Sequence, residues 1–388
     1  MALDGGGSDD EMSKSHVAAA RRAKRKHEKE QKRKKRPPHK PLGVSTRQAV
    51  PASAPPLRWH PEIQGIEGLA ALAQVPFYEA ARMADAFARA HGASHPLYAA
   101  VWTRERVCAL ETSALVTRLE QLGIRVDHDR FIAETPWFGS AVRWARETWL
   151  PFAPAHADVH ARDFVALAAC ELWKRWRPES PSQEGLHELL LVGEDHAERQ
   201  DDIAATEHWI RFWRCLRPLL TPELRTTGAA GELLGVDDSV LFNWASDFSM
   251  AATYAAPQDA ALGRRAAEVQ GEILTQFSAE QDSWRLPLVC DRAEVLYVTG
   301  ERIEAERILR EQIEAHPTSA GAYVTLAELW APYGSEDREA ITRSLALLAQ
   351  AAARPVKDAA SWDLAVRIKG LRTQLRACGG DAGKAVTV

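Results

Sequence analysis

Two glycines 34 residues apart, Gly300 and Gly334, constrain this chain more than any other feature. Each follows an apolar helical face and precedes another, where a tight interhelical turn is expected to tolerate no side chain. The interval matches two helices plus their turns. Ala305 is the small residue that allows the paired helix to come close, and Leu309 and Ile313 extend its buried face. Pro317 then stops that helix. After it, Tyr323, Leu326, Ala327 and Trp330 repeat the sequence aromatic, leucine, small, aromatic along one helical face.

On these residues the stretch from Pro287 to Leu348 resembles the tetratricopeptide repeat family. The resemblance implies helix-turn-helix hairpins stacked as a right-handed solenoid, and a scaffold that holds a protein or peptide partner in a groove. A degenerate copy of the same template spans residues 183–220. There Leu189, Val192, Gly193 and His196 fall on a first helix, and Ala205, Trp209 and Trp213 on a second.

The whole chain reads as all-α, with no alternating run that signals a strand. Helices are expected from Gly65 to His91, closed by Gly92, and from Pro96 to Leu122, ending at Gly123. Further helices are expected from Asp127 to Glu134, Trp137 to Trp149 and Asp163 to Trp176. Thr221-Pro222 reads as a helix start, with Thr as cap and Pro at the first position. A helix pair is expected from Val236 to Phe277. Ser278 to Gln281 reads as a capping box before the next helix, and Ser361 to Cys378 as a closing one. The thirteen tryptophans cluster at helical spacings such as Trp144/Trp149, Trp173/Trp176 and Trp209/Trp213, which predicts that they fill space between helices. The expected organisation is an arm (1–57), an N-terminal helical domain (58–180), tetratricopeptide-like repeats (181–376) and a fraying C-terminus (377–388).

The formal net charge of −4 hides an asymmetry. Residues 1–57 carry 14 Lys/Arg against 6 Asp/Glu, and the remainder carries 35 against 47. The arm is rich in Gly, Ser and Pro around its charges and is expected to be disordered. Its basic core is Arg21, Arg22, Lys24, Arg25 and Lys26, followed by Lys32, Arg33, Lys34, Lys35 and Arg36. Such a run suits RNA, DNA or an anionic membrane surface through counterion release. It has no aromatic residue for base stacking, so it suits charge-driven contact or a solvated tail.

The five cysteines stand apart with no Cys-x-x-Cys, against a zinc ribbon or a disulfide framework. No long apolar run and no secretory h-region is present, so the expectation is a cytoplasmic protein without a membrane span. The segment from Ala230 to Trp244 has the spacing of a DNA-binding helix-turn-helix. However, its second helix opens with Asp237 and Asp238, and no Lys or Arg occurs between Arg225 and Arg264. That favours a structural corner capped by Asp237. His156, His160 and Asp163 are the nearest approach to a metal set, and they carry the alternative of a metal-dependent hydrolase. His187-Glu188 and the acids Glu194, Asp195, Glu198, Asp201 and Asp202 read as a solvated helix surface. No phosphate-binding glycine loop or nucleophile elbow is found, and no cofactor is expected.

From about Leu115 to Trp330 the chain is also similar to a group of bacterial all-helical proteins. The landmarks are Leu122 to Val126 with Phe131, the run from Asp163 to Trp176, Trp209 to Trp213, and Phe242 to Phe248. Members often carry a cysteine-rich zinc tail like that of the preprotein translocase motor SecA; Cys378 stands alone here. These landmarks are packing residues, so the resemblance implies a fold and no activity. The resulting expectation is a non-enzymatic scaffold or adaptor for a protein or peptide. The alternative is a nucleic-acid adaptor acting through the arm.

Overall fold

The computed structural model describes residues 59–153, 158–332 and 334–378. Those residues are all-helical and contain no strand. The basic arm, with every cation assigned to it, lies outside them. The described chain forms two compact units, one up to Glu280 and one from Gln281.

The first unit begins with α1 (Pro61–Ala73), α2 (Phe77–His91), α3 (Pro96–Ala100), α4 (Arg104–Cys108) and α5 (Thr112–Gln121). It continues with α6 (His128–Phe138), α7 (Ala141–Thr148), α8 (Val159–Trp176), α9 (Gln183–Glu198) and α10 (Asp202–Leu216). It closes with α11 (Thr227–Leu234), α12 (Asp238–Ala255) and α13 (Ala260–Gln276). The boundary expected at residue 180 falls inside this unit. There Gln183 donates its backbone N–H to the Gly139 carbonyl at 2.8 Å, and Glu184 reaches the start of α7.

Several helices are shorter than their periodicity suggests. The expected 65–91 helix is two, because Gln74 turns left-handed (φ 55°) and Pro76 keeps Val75 out of the helical region. The expected 96–122 helix is three short pieces. The middle one starts where the Thr103 hydroxyl accepts from Arg106 N and the Asp85 carboxylate accepts from Arg104 N. Gly139, at φ 69°, separates α6 from α7. Thr221 caps no helix. Residues 221–226 form a turn, and α11 starts at Thr227 behind a Thr226 cap.

The capping box at 278–281 does not close locally either. Ser278 Oγ accepts from Arg225 Nε at 3.0 Å, and the Glu280 carboxylate accepts from the backbone N–H and hydroxyl of Thr227, both at 2.7 Å. A helix leaves its first N–H groups unpaired, and a carboxylate suits that positive end. In this chain the carboxylate often comes from far away in sequence.

The tryptophans do fill interhelical space. Phe131 meets the Trp144 ring edge-on at 4.6 Å, and Trp144 meets Trp149 at 4.5 Å. Trp209 is buried against α9, where its indole N–H donates to the Leu190 carbonyl at 3.2 Å. A Cβ on Gly193 would lie 2.2 Å from the Trp209 indole nitrogen, so the ring packs on bare backbone.

Asp163 shapes the first turn of the unit. Gly65 breaks α1 at φ 59°, and both Asp163 carboxylate oxygens accept the N–H of Ile66, at 3.0 and 3.1 Å. Burial pushes this carboxyl up to about 7, against the opposing effect of the Ile66 bond.

The second unit holds α14 (Asp282–Val298), α15 (Arg302–Ala315), α16 (Gly321–Trp330), α17 (Arg338–Ala352) and α18 (Leu364–Ala377). Helix α16 packs on both α14 and α15, α17 on α16, and α18 on α17. Gly300 (φ 104°) and Gly334 (φ 80°) sit in the turns between paired helices, and a Cβ at either would meet open space. Backbone conformation, not crowding, therefore makes them glycine. Ala305, Leu309, Tyr323, Leu326 and Ala327 are buried as the repeat pattern requires, and α15 ends at Ala315, just before Pro317. Trp362, in the turn before α18, packs over Gly321.

Two outcomes follow. Gly193→Ala gains helix propensity worth about 1 kcal/mol, yet it forces Trp209 out of place at a cost of about 1–3 kcal/mol. Thermal unfolding is expected to show a net loss of stability. Asp163 has its folded pKa raised above the ordinary value of 3.8. Its contribution to stability is therefore full below about pH 4 and is lost as pH rises through about 7. Asp163→Asn keeps an acceptor for Ile66, and denaturant titrations are expected to show a smaller fall in stability across that window.

Candidate functional site

A cleft of about 260 Å³ opens within the first unit among α2, α4, α8, α9 and α10. Its apolar wall is Phe77, Ala81, Leu167, Leu189 and Val192. Its polar lining comes from all five helices and from the turn at Pro178, where α8 gives way to α9.

Charge organises one side. Arg104 lies over the Tyr78 ring at 4.4 Å, with Asp85 3.7 Å and Glu188 3.6 Å from its guanidinium. Lys174 donates to Glu188 at 3.0 Å. The Tyr78 hydroxyl is buried with no hydrogen-bond partner, and burial together with Glu188 keeps it protonated. An unpaired buried hydroxyl costs free energy on the order of 1–3 kcal/mol, so this corner is not optimised for stability alone.

Two thiols line the same cleft. Cys170 is enclosed, and burial pushes its thiol well up. Cys108 is exposed and donates to Glu171 Oε2 at 3.3 Å; burial and the Glu171 charge push its thiol up as well. Neither thiol is primed as a nucleophile, which needs the thiolate. Glu184, another lining residue, is committed to structure: it accepts from Ser140 Oγ and from Ala141 N at 2.9 Å.

Two other cations of the lining are held differently. Arg177 rests over the Trp173 ring at 5.6 Å and donates to Thr135 Oγ1 at 2.9 Å. Arg211 donates to the Pro178 carbonyl at 3.5 Å. Both contacts are to neutral oxygens. His208 nearby has its pKa lowered by burial, His196 and Arg211.

The residues singled out by sequence go to other places. His156 lies outside the described residues, and Asp163 is engaged with Ile66. Among the described residues no three His, Cys, Asp or Glu side chains form a metal-holding group. Of the acidic set, Asp195 pairs with Arg82 at 2.8 Å, and Asp201 caps α10 through Ala204 N. His187 and Glu188 diverge. The His187 ring is buried beside a second, smaller cavity lined by Leu190, Leu191, Val236 and Val240, and Glu188 serves the cleft. The segment from Ala230 to Trp244 is a helical corner. Gly235 stands at φ 64°, and the Asp237 side chain accepts from Ser239 N.

In the second unit Trp330 is flanked by Arg343 at 3.5 Å and Arg310 at 5.4 Å, both of which reach Glu306. Gly193 and Trp209 meet in the α9/α10 hairpin of the first unit, where Ala205 is also buried. The cleft itself was missed in sequence, because its charged residues come from four helices and the turn after α8. The one available signal was the density of Arg, Lys and Glu around the 170–188 break. No helix among the described residues is long and apolar enough to cross a membrane.

Comparison with protein-family models, curated proteins and solved structures found no match for this chain.

Replacing Glu171 by Gln removes a charge and an acceptor that hold the Cys108 proton. Alkylation of Cys108 near pH 8, followed by peptide mass spectrometry, is expected to be several-fold faster in the variant, on the order of its rise in thiolate fraction.

Proposed function

We propose that this protein is a non-enzymatic scaffold that binds another protein or a peptide, with the helix pairs of its second unit stacked as a tetratricopeptide-like right-handed solenoid. The carrying observation is that α16 touches both helices of the preceding hairpin, so successive pairs share one buried face. The 34-residue interval between Gly300 and Gly334, both with positive φ, supports a repeated unit. Stacks of this kind leave a continuous surface suited to an extended chain. Many charges of α15 and α17 engage one another: Arg307 pairs with Glu304 and Glu311, and Arg343 with Glu306. Exposed pairs of this kind contribute roughly 0–1 kcal/mol each, so a partner can exchange them at little cost.

A second reading rests on the charge asymmetry: an arm of net positive charge precedes an acidic remainder. In it the chain is an adaptor that docks on nucleic acid through residues 14–40.

Affinity capture from source lysate separates the two. Full-length protein is compared with a chain lacking residues 1–56, each with and without nuclease. Partners that survive both treatments are the expected outcome and mark the helical body as the recognition surface. Partners lost with either treatment move the arm reading to first place.

A further inference from the structure

We propose that the cleft of the first unit binds a small organic anion, an oxyanion carried on an apolar body. Counting formal charges does not reveal this, because four cations and four carboxylates line the cleft. What matters is which of them are already neutralised. Glu105 pairs with Arg89, Glu171 with Arg175 at 2.8 Å, and Glu188 with Lys174. Glu184 is consumed by the start of α7. Three of the four carboxylates are therefore paired with a cation, and Glu184 is held by the neutral donors Ser140 Oγ–H and Ala141 N–H at the start of α7.

Arg177 and Arg211 are not balanced in that way. Among the described residues neither has a carboxylate partner; each donates to one neutral oxygen, Thr135 Oγ1 and the Pro178 carbonyl. A guanidinium carries five N–H donors in a planar fork that fits carboxylate or phosphate. The two groups flank one turn, since Arg211 bonds the carbonyl of the residue that follows Arg177. Thr135 and the Trp173 ring hold Arg177 in place, which reduces the ordering cost of binding.

The body of the ligand follows from the rest of the wall. Phe77, Ala81, Leu167, Leu189 and Val192 offer apolar surface and no donor. A ligand that only matched the charges would leave that surface wet. An anionic head at Arg177 and Arg211 with an apolar or aromatic tail along α2 and α9 uses both. Concave sites of this composition are the usual form of small-molecule sites.

The test is calorimetric titration of the full chain with benzoate, phenyl phosphate, inorganic phosphate and benzylamine. Benzoate or phenyl phosphate is expected to bind, with inorganic phosphate and benzylamine weaker by at least about tenfold. The first comparison reads the apolar body and the second reads the sign of the charge. Arg177→Gln combined with Arg211→Gln is expected to weaken the aryl anion at least about tenfold. Arg211 is exposed and makes one long bond, so Arg211→Gln alone serves if the double variant does not fold. Bound probe is also expected to slow alkylation of Cys108, which lines the cleft. The proposal is overturned by equal binding of benzylamine, by unchanged affinity in the folded arginine variants, or by no heat and no Cys108 protection with any probe.

Discussion

Among the described residues, five helical segments begin on a carboxylate supplied from elsewhere in the sequence. Asp85 accepts from Arg104 N, Asp163 from Ile66 N, Glu184 from Ala141 N, Glu280 from Thr227 N and Asp358 from Ala320 N. A protein built only of helices has no ladder to pin one segment to another. Its helix starts expose unpaired N–H groups that must find acceptors when buried. A carboxylate reaching across the chain satisfies those donors and ties two segments together. The cost is visible at Asp163, where burial raises the pKa despite the bonds it accepts.

Within that frame the core is packed large against small. Trp209 lies on Gly193, Trp362 over Gly321, and the Phe131–Trp144–Trp149 group fills the space beside α6, α7 and α8. Indole rings bridge helix gaps that aliphatic side chains would leave partly empty, which accounts for the tryptophan-rich composition. The cleft lies where this packing gives way to the turn at Pro178. There the lining shifts to long charged side chains on a wall that is still apolar. The proposed scaffold surface on the second unit and the proposed small-ligand cleft in the first are compatible, because they use different residues and different chemistry.

Sequence patterning read the segment types well and their limits less well. The hairpins at Gly193 to Trp209 and at Gly300 to Trp330 follow from apolar periodicity and from the glycines between helices, which are local properties. The breaks at Gln74–Pro76 and near Thr103 were hidden, because an unbroken apolar stripe continues through them. Thr221 and Ser278 have the residue types of caps, yet the helix starts lie at Thr227 and Asp282, where Glu280 and the chain path decide.

The sequence by itself determined that this chain is helical, tryptophan-filled and asymmetric in charge, because composition and 3.6-residue periodicity act over a few turns. It also placed interhelical turns at Gly300 and Gly334, although a positive φ rather than crowding is what requires glycine there. Only the tertiary structure decided which acids close which helices, and that among the cleft's four cations Arg177 and Arg211 bond neutral oxygens while Arg104 and Lys174 pair with Glu188. Those outcomes depend on which side chains meet across tens of residues, and pairing at that range is set by packing rather than by local pattern.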